Sequence, residues 1–569
     1  MKKIFLLTLP FAFSSIGHCQ QTHIRNVALV DVKTGKIIPG QSVIFNNSGI
    51  EYIGTSPGAR GANAVIIDGT GKYLMPGMTD AHIHFFQSGS IYTRPDAVDL
   101  RKKVPYEKEK QFGYKNAADY MHRYLRLGIT TVIDVGGPFA NFVIRDSIAS
   151  STIAPNVLVT GPLFSMIDND FFGIDKPIEK ISSVKEADAL FYRMLAYKPD
   201  FIKIWYIAGK KYPAEQNFPI VKHIAELAHK NNLKLAVHAT ELKTAQYAVE
   251  AGADILVHSI EDEIIPADFI KILRDKKITL IPTLIVGDGY YKSFSGRPDN
   301  HPQDLEWANP FVYGSITDPE AMGESEMPPV FKMLRKNGIP AFTLKTDSIM
   351  SVNLVNLVKG NVNIASGTDA GNIGTMHASS FLQELEAMQK AGMTISQILK
   401  ASTINAATGF GRDKLWGSIE KGKFADLVLL NKNPLESLQN LNSIHAIFKN
   451  GIQLNLDSLI KESPEAIVQK QLNAYNAHNI DAFLNTYSDD IEIYDLYGKI
   501  IMKGKEQMKT RYGLTFSTVS NLYCEILKRI IIGNKVIDHE KIRRGNETNY
   551  AGVIYEVTNG KISRVTFIR

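Results

Sequence analysis

The chain has 569 residues, 44% hydrophobic and 21% charged, with 64 Lys and Arg against 58 Asp and Glu for a formal charge of +6. Such proportions belong to a soluble globular protein long enough for about three or four domains, fewer if one is a barrel. The small basic excess, with no dense Lys/Arg stripe interleaved with aromatics, argues against a nucleic-acid or other polyanionic partner.

Lys2 and Lys3 precede an apolar run over 4–13, then Ser14, Ser15 and Gly17, the layout of a signal peptide over 1–19. The run is too short to span a bilayer. Small residues at Gly17 and Cys19 permit cleavage before Gln20, and His18 fits a lipoprotein signal poorly, so a secreted or periplasmic protein is expected rather than a lipid-anchored one. Cleavage would leave Cys524 as a lone thiol, unable to form an internal disulfide.

Short β-type runs at 27–32 and 42–45, broken by Gly35, Gly40, Gly49 and Gly58, read as strands of a small sheet. Further on, apolar β-rich runs at 77–84, 129–135, 156–160, 200–206, 233–239, 254–258, 278–285 and 362–368 alternate with helical patterns such as 183–197, 218–231 and 242–251. This alternation predicts an α/β chain with a parallel TIM barrel over 74–407. The stretch 286–340, rich in Gly, Pro, Tyr and Asp, is too long for an ordinary connection and is expected to be a substrate-facing lid. Strand patterns return at 417–430 and 444–448. From Pro464 the character changes to helices at 466–477 and 480–487, then strands at 491–496, 523–532, 535–542, 551–558 and 563–568, an α+β module over 464–569.

His82 and His84 close the segment Leu74-Met75-Pro76-Gly77-Met78-Thr79-Asp80-Ala81-His82-Ile83-His84. On a strand, side chains at i and i+2 share a face, so the pair can grip one ion. Taken alone, two satisfied structural histidines are the better explanation. The segment, however, resembles the start of the first barrel strand in the amidohydrolase superfamily, and more positions match in order. They are Lys203 in Pro199-Asp200-Phe201-Ile202-Lys203-Ile204-Trp205, His238 in Ala236-Val237-His238-Ala239, His258 in Asp254-Ile255-Leu256-Val257-His258, and Asp369 in Ser366-Gly367-Thr368-Asp369-Ala370. The resemblance runs from about Arg25 to Gly451 and implies a composite β-sandwich from both flanks, 20–73 and 408–458, around the barrel. The last module resembles the cone-shaped SnoaL and nuclear-transport-factor-2-like families, through Gln471-Leu472-Asn473-Ala474-Tyr475-Asn476-Ala477-His478-Asn479-Ile480-Asp481-Ala482-Phe483-Leu484 and Val536-Ile537-Asp538-His539-Glu540.

Neutral imidazoles and a carboxylate suit Zn²⁺ and similar ions, and a desolvated Lys on an apolar strand can lose its proton. The resemblance implies a CO₂-derived carbamate on Lys203 and two divalent ions, Zn²⁺ being expected. His82, His84, Lys203 and Asp369 would hold one, and Lys203, His238 and His258 the other. A hydroxide between them would attack, and Asp369 would carry its proton to the leaving amine. The nearest likeness is to the imidazolonepropionase and Xaa-Pro dipeptidase-like branch, which implies hydrolysis of a C–N bond in a small amide, peptide or cyclic amide.

Asp80 and Asp134 are candidates to orient ligands. His377 and Tyr206 are candidate substrate contacts, as are Tyr290, Tyr291 and Arg297, although His377 equally reads as a helix-start histidine. An alternative makes the cone an isomerase or ligand-binding module, with Asp495 or Asp538 as base and the barrel as scaffold. A plainer role for the cone is to join two copies into a homo-oligomer.

Overall fold

In the computed structural model, residues 20–56, 64–149, 151–167, 170–208, 213–338 and 340–568 are described. The expected signal peptide over 1–19 and the turn at Gly58 lie outside them. The first barrel strand forms at Met78–Ile83 and pairs in parallel with Ile129–Asp134, which pairs with Asn156–Val159. A second parallel run orders Ile202–Trp205, Leu235–His238, Ile255–Val257, Thr279–Ile281 and Asn363–Ile364. Two backbone hydrogen bonds join the runs: Asp200 N–H donates to Val159 O at 3.0 Å and Asp369 N–H to His82 O at 2.8 Å. The eight strands thus close into the TIM barrel expected from their alternation with helices.

Two strands are much shorter than predicted, Thr279–Ile281 against 278–285 and Asn363–Ile364 against 362–368. Pro282 has no N–H for a ladder, and Thr283 and Asp369 take left-handed φ of 48° and 60°, which bends both segments out of the sheet. Leu163–Ser165 and Ile178–Lys180, which sequence did not predict, extend the sheet beside Ile202–Trp205. Along the barrel, alternation sorts side chains. Ile202 and Ile204, Leu235 and Val237 pack outward with the helices, and Lys203 and His238 line the cavity.

The flanking sheet has the order Ile452–Gln453, Ile444–Lys449, Leu427–Leu430, Tyr73–Pro76, Thr22–Asp31, Lys36–Asn46, Gly49–Gly54, with Val65–Asp68 also paired to Thr22–Asp31. Phe45 and Phe448 sit four ladder steps apart, roughly 19 Å in a flat sheet. Their ring centroids are nevertheless 5.0 Å apart, so the sheet curls on itself around a core that includes Val43, Leu74, Leu427 and Phe448. Gly451, at φ 73°, passes so close to Asn46 O that there is no room for a Cβ. A buried pair, Lys449 Nζ to Asp426 at 3.2 Å, takes in Asn156 of the third barrel strand and ties sheet to barrel.

The stretch 286–340 is not an irregular loop. It holds helices Val286–Ser295, Pro302–Trp307, Pro310–Ser315 and Pro329–Asn337, then leads into Ala341–Lys359. Pro302, Pro310 and Pro329 stand at the first helical turn, where a missing N–H costs nothing, so residues that read as breakers are starters. Phe294 and Phe331, 4.9 Å apart, anchor the insert in a core that it shares with Ile91, Leu100 and Ile373.

The C-terminal sheet orders Ile500–Lys503, Tyr487–Tyr494, Lys561–Ile568, Glu547–Thr558, Lys535–Arg544 and Tyr523–Ile532, with helices Pro464–Asn476, Ile480–Asn485 and Lys505–Thr518. Strand Ile500–Lys503 and helix Lys505–Thr518 had no counterpart in the sequence reading. This module docks on the insert: Asn473 Nδ2 donates to Pro310 O at 2.8 Å and Tyr523 OH to Thr317 O at 3.1 Å. A Cβ on Gly314 would stand 2.7 Å from Gln469 Nε2, so the two helices approach closely there and a larger residue would displace the Gln469 and Asn473 side chains.

Candidate functional site

Four of the six ligand positions expected from sequence sit at or just beyond C-terminal strand ends, Lys203 lies within its strand and Asp369 five residues past Ile364, and all six line one cavity of about 380 Å³. His82 Nε2 and His84 Nε2 lie 3.3 Å apart and reach Asp369 Oδ1 at 3.2 and 3.1 Å. These separations match the ~3.3 Å between neighbouring donors around a tetrahedral ion with ligands at about 2.0–2.1 Å. Asp369 Oδ1 is buried and makes no hydrogen bond of good geometry, as expected of an oxygen whose partner is a cation. A metal ion therefore fits this donor set. His258 stands next to His82, with ring centroids at 4.9 Å, and next to His238 at 4.5 Å, which makes a second imidazole pair beside the first group.

Hydrogen bonds decide which ring nitrogen is free. His84 Nδ1 meets Gly136 O at 2.7 Å and His258 Nδ1 meets Thr283 Oγ1 at 2.7 Å, which leaves Nε2 of each toward the cavity. Alternation would turn His258 away from the inward-facing Val257, but its φ of 74° brings it back. Asp369 at φ 60° is a second such residue. Left-handed backbone at non-glycine positions costs roughly 1–3 kcal/mol and concentrates at sites that need it.

Burial sets the charges. It drives His82 down to about 4, against the pull of Asp369, and leaves His238 and His258 well below the usual histidine range, so these rings are neutral ligands. Burial also pushes Lys203 down to about 7, with Asp369 opposing, so its amine is easily deprotonated. For Asp369 burial opposes ionisation, but the attraction of the adjoining His82 and His84 outweighs it and holds the carboxyl well below its usual value.

The two proposed supports behave differently. Asp80 accepts from Thr368 N and Oγ1 at 3.0 and 2.7 Å and from His82 N at 3.3 Å, and so acts directly on a ligand's backbone. Asp134 accepts from Gly136 N at 3.0 Å and Asn141 Nδ2 at 2.7 Å, and reaches His84 through the Gly136 carbonyl.

Two expected substrate contacts are not brought to the cavity. Tyr206 follows the inward-facing Trp205, points outward and donates to Ala214 O. The His377 ring is used up by Gln87 O at 2.8 Å and Tyr124 OH at 3.2 Å, and it stacks on Tyr120. Arg297 is exposed and does not line the cavity, whereas Tyr290 and Tyr291 do. Sequence reasoning missed Trp205, Arg94 and Asn372 as lining residues. Arg94 is held bidentately by Asp96 at 2.8 and 2.6 Å and donates to Asn372 Oδ1 at 2.6 Å, which also accepts from Tyr290 OH at 2.7 Å. No motif marks Arg94, which lies in the first strand-to-helix loop. In the cone, Asp495 caps an exposed turn, and Asp538 is neutralised by Arg529 through two contacts of 2.7 Å.

The amidohydrolase family model matches residues 73–454, and a SnoaL-like domain model matches 468–565. The chain belongs to the amidohydrolase family, as a hydrolase acting on carbon–nitrogen bonds, and carries a C-terminal SnoaL-like domain. An adenine deaminase of Rubrobacter xylanophilus is 34% identical over 95 residues, so the chain spans only 16% of that relative's length. A 5-methylthioadenosine/S-adenosylhomocysteine deaminase of Thermoanaerobacter pseudethanolicus is 23% identical over 77% of this chain and 91% of its own. Among solved structures, a Xaa-Pro dipeptidase with bound methionine in the active site superposes with a TM-score of 0.58 at 19% identity, over 77% of this chain and all of that one. Among the described residues no helix is long and apolar enough to cross a membrane.

Proposed function

We propose that the barrel hydrolyses a small amide, peptide or cyclic amide, using two divalent ions, Zn²⁺ in the first instance. The observation that supports this best is the convergence of His82 Nε2, His84 Nε2 and Asp369 Oδ1 within 3.1–3.3 Å, beside the His238–His258 pair and a buried Lys203. His82, His84, Lys203 and Asp369 would hold one ion, and Lys203, His238 and His258 the other. Bound there, such ions polarise a substrate carbonyl and bring the pKa of water toward about 7.

The rest of the chemistry belongs to the chain. Lys203 Nζ, desolvated and easily stripped of its proton, adds to CO₂ and sheds a proton, so that an anionic carbamate replaces an ammonium that cannot ligate. Asp369 takes the proton of the attacking water on its carboxylate and gives it to the leaving amine as the C–N bond breaks. Trp205, Tyr290 and the Arg94–Asn372 pair line the cavity and orient the substrate there. The leader-like sequence at 1–19 supports action in the periplasm or outside the cell. The edge strand Tyr523–Ile532, with exposed Ile530, Ile531 and Ile532, supports pairing of two copies through the cone.

The relatives named as deaminases favour one competing reading, release of ammonia from an aminopurine. Zn-, Mn- and Co-loaded protein, screened against amides, lactams, dipeptides and aminopurine nucleosides, separates the two. Release of an amine or a ring-opened acid is expected, and ammonia from aminopurines alone would replace the amide reading. Asp369→Asn is expected to lose turnover, and near-normal turnover in a metal-replete variant would remove Asp369 from the proton path.

A further inference from the structure

A second cavity, of about 440 Å³, lies within the cone and takes no part in the barrel chemistry. Helix Pro464–Asn476 contributes Gln471, Leu472 and Tyr475, helix Lys505–Thr518 contributes Arg511, and the sheet supplies the remaining wall. The volume is within the range of small-molecule sites, about 300–1,000 Å³.

Its lining is mixed, with Leu472, Ile493, Val565 and Phe567 as an apolar part. It also holds the Glu540 carboxyl, 6% exposed, which accepts from Tyr555 OH at 2.7 Å. Two residues earlier on the same strand, Asp538 is neutralised by Arg529, but Glu540 is in no ion pair among the described residues. Burial pushes it up to about 7, so a proton is available there for a hydrogen bond to a guest. The lining includes Arg511 and Arg544, both exposed, and neither guanidinium has an ion pair or hydrogen bond among the described residues. A buried acid outside any ion pair, sharing one cavity with two exposed arginines that are in none, is a costly arrangement if it serves stability alone.

We infer that this cavity binds a small amphipathic carboxylate, its anionic group at Arg511 and Arg544, its apolar body along Leu472, Ile493, Val565 and Phe567, and a hydroxyl or carbonyl at its far end against Glu540. The assignment does not depend on the reaction of the barrel. It also differs from an isomerase reading, since Asp495 and Asp538 are committed elsewhere and no acid–base step is required.

The test is calorimetric titration of full-length, metal-replete protein with phenylbutyrate, its para-hydroxy derivative and neutral phenylbutanamide. An Asp369→Asn background silences turnover at the barrel. The carboxylates are expected to bind, the hydroxylated one more tightly, and the amide at least about tenfold more weakly, the order of one lost charge-assisted contact. Arg511→Ala with Arg544→Ala should weaken both acids about tenfold or more, and Glu540→Gln should abolish the preference for the hydroxyl. Ala551→Phe, which fills the cavity from a strand, should remove binding, with the circular-dichroism melt showing that the cone is folded. No binding by any probe up to about 10 mM, or binding untouched by the rim and filling variants, overturns the proposal.

Discussion

Asp80 Oδ2 accepts the Thr368 hydroxyl at 2.7 Å, so a carboxylate on the first barrel strand holds the turn that carries Asp369 on the last. Its other oxygen accepts from Thr368 N and His82 N, which places one acid beneath both halves of the closest donor group. Asp80→Ala would free three donors at once. The expected result is a fall in metal affinity of about 10- to 100-fold, read by competition with a chelator, with the fold retained. Unchanged affinity would show that barrel closure alone positions His82 and Asp369.

Glu384 acts on the neighbouring turn. Its buried carboxyl, raised to about 8 by burial, accepts from Leu284 N at 3.0 Å and Ile285 N at 3.1 Å, just after Thr283. Glu384→Ala leaves two half-buried N–H groups unpaired, with an expected loss of about 1 kcal/mol in denaturant unfolding. Because Leu284 and Thr283 line the cavity, kcat/KM should fall as well, and Glu384→Gln, which keeps one acceptor, should recover part of both.

Lys449 and Asp426 are each 2% exposed on their side chains. Lys449→Met would remove the cation and leave Asp426 with Asn156 and the Asn450 backbone, not enough to balance its charge. A loss of about 3–5 kcal/mol is expected. The double variant Lys449→Met with Asp426→Leu should recover most of it, and full additivity of the two substitutions would contradict the pairing.

Glu540 gives the cone a pH dependence. Its folded-state pKa of about 7 lies above the usual 4.5, raised first by burial. Between those values the folded chain keeps a proton that the unfolded chain releases, so this group lowers stability as pH rises from 4.5 to 7. Glu540→Gln should leave the melt unchanged near pH 4.5 and raise stability by up to about 3 kcal/mol above pH 7. An equal gain at both pH values would point to packing rather than charge.

The barrel was legible because period-two and helical patterns alternate, and because the six ligand positions match a known order. Strand ends were not. His258 and Asp369 reach the cavity through left-handed backbone, which Asp and His adopt more readily than most residues but which period-two alternation does not reveal, and Pro282 ended a strand that its apolar neighbours suggested would continue. Tyr206 failed as a substrate contact for the simplest reason, one residue of alternation. The helical insert was hidden by its own prolines, and helix Tyr106–Arg126 by a sequence in which charge obscures the buried stripe of Ala117, Tyr120, Met121 and Tyr124. In the cone, the functional candidate turned out to be Glu540 rather than the Asp two residues before it, a distinction set by where Arg529 lies.

The curled sheet has a consequence for biogenesis. Tyr73–Pro76 forms its antiparallel ladder with Leu427–Leu430, so a strand made early waits for one made some 350 residues later before its edge is covered. During that interval the apolar faces of Thr22–Asp31 and Lys36–Asn46 have no partner layer. A chain folding as it is synthesised therefore exposes the first half of this clasp throughout synthesis of the barrel.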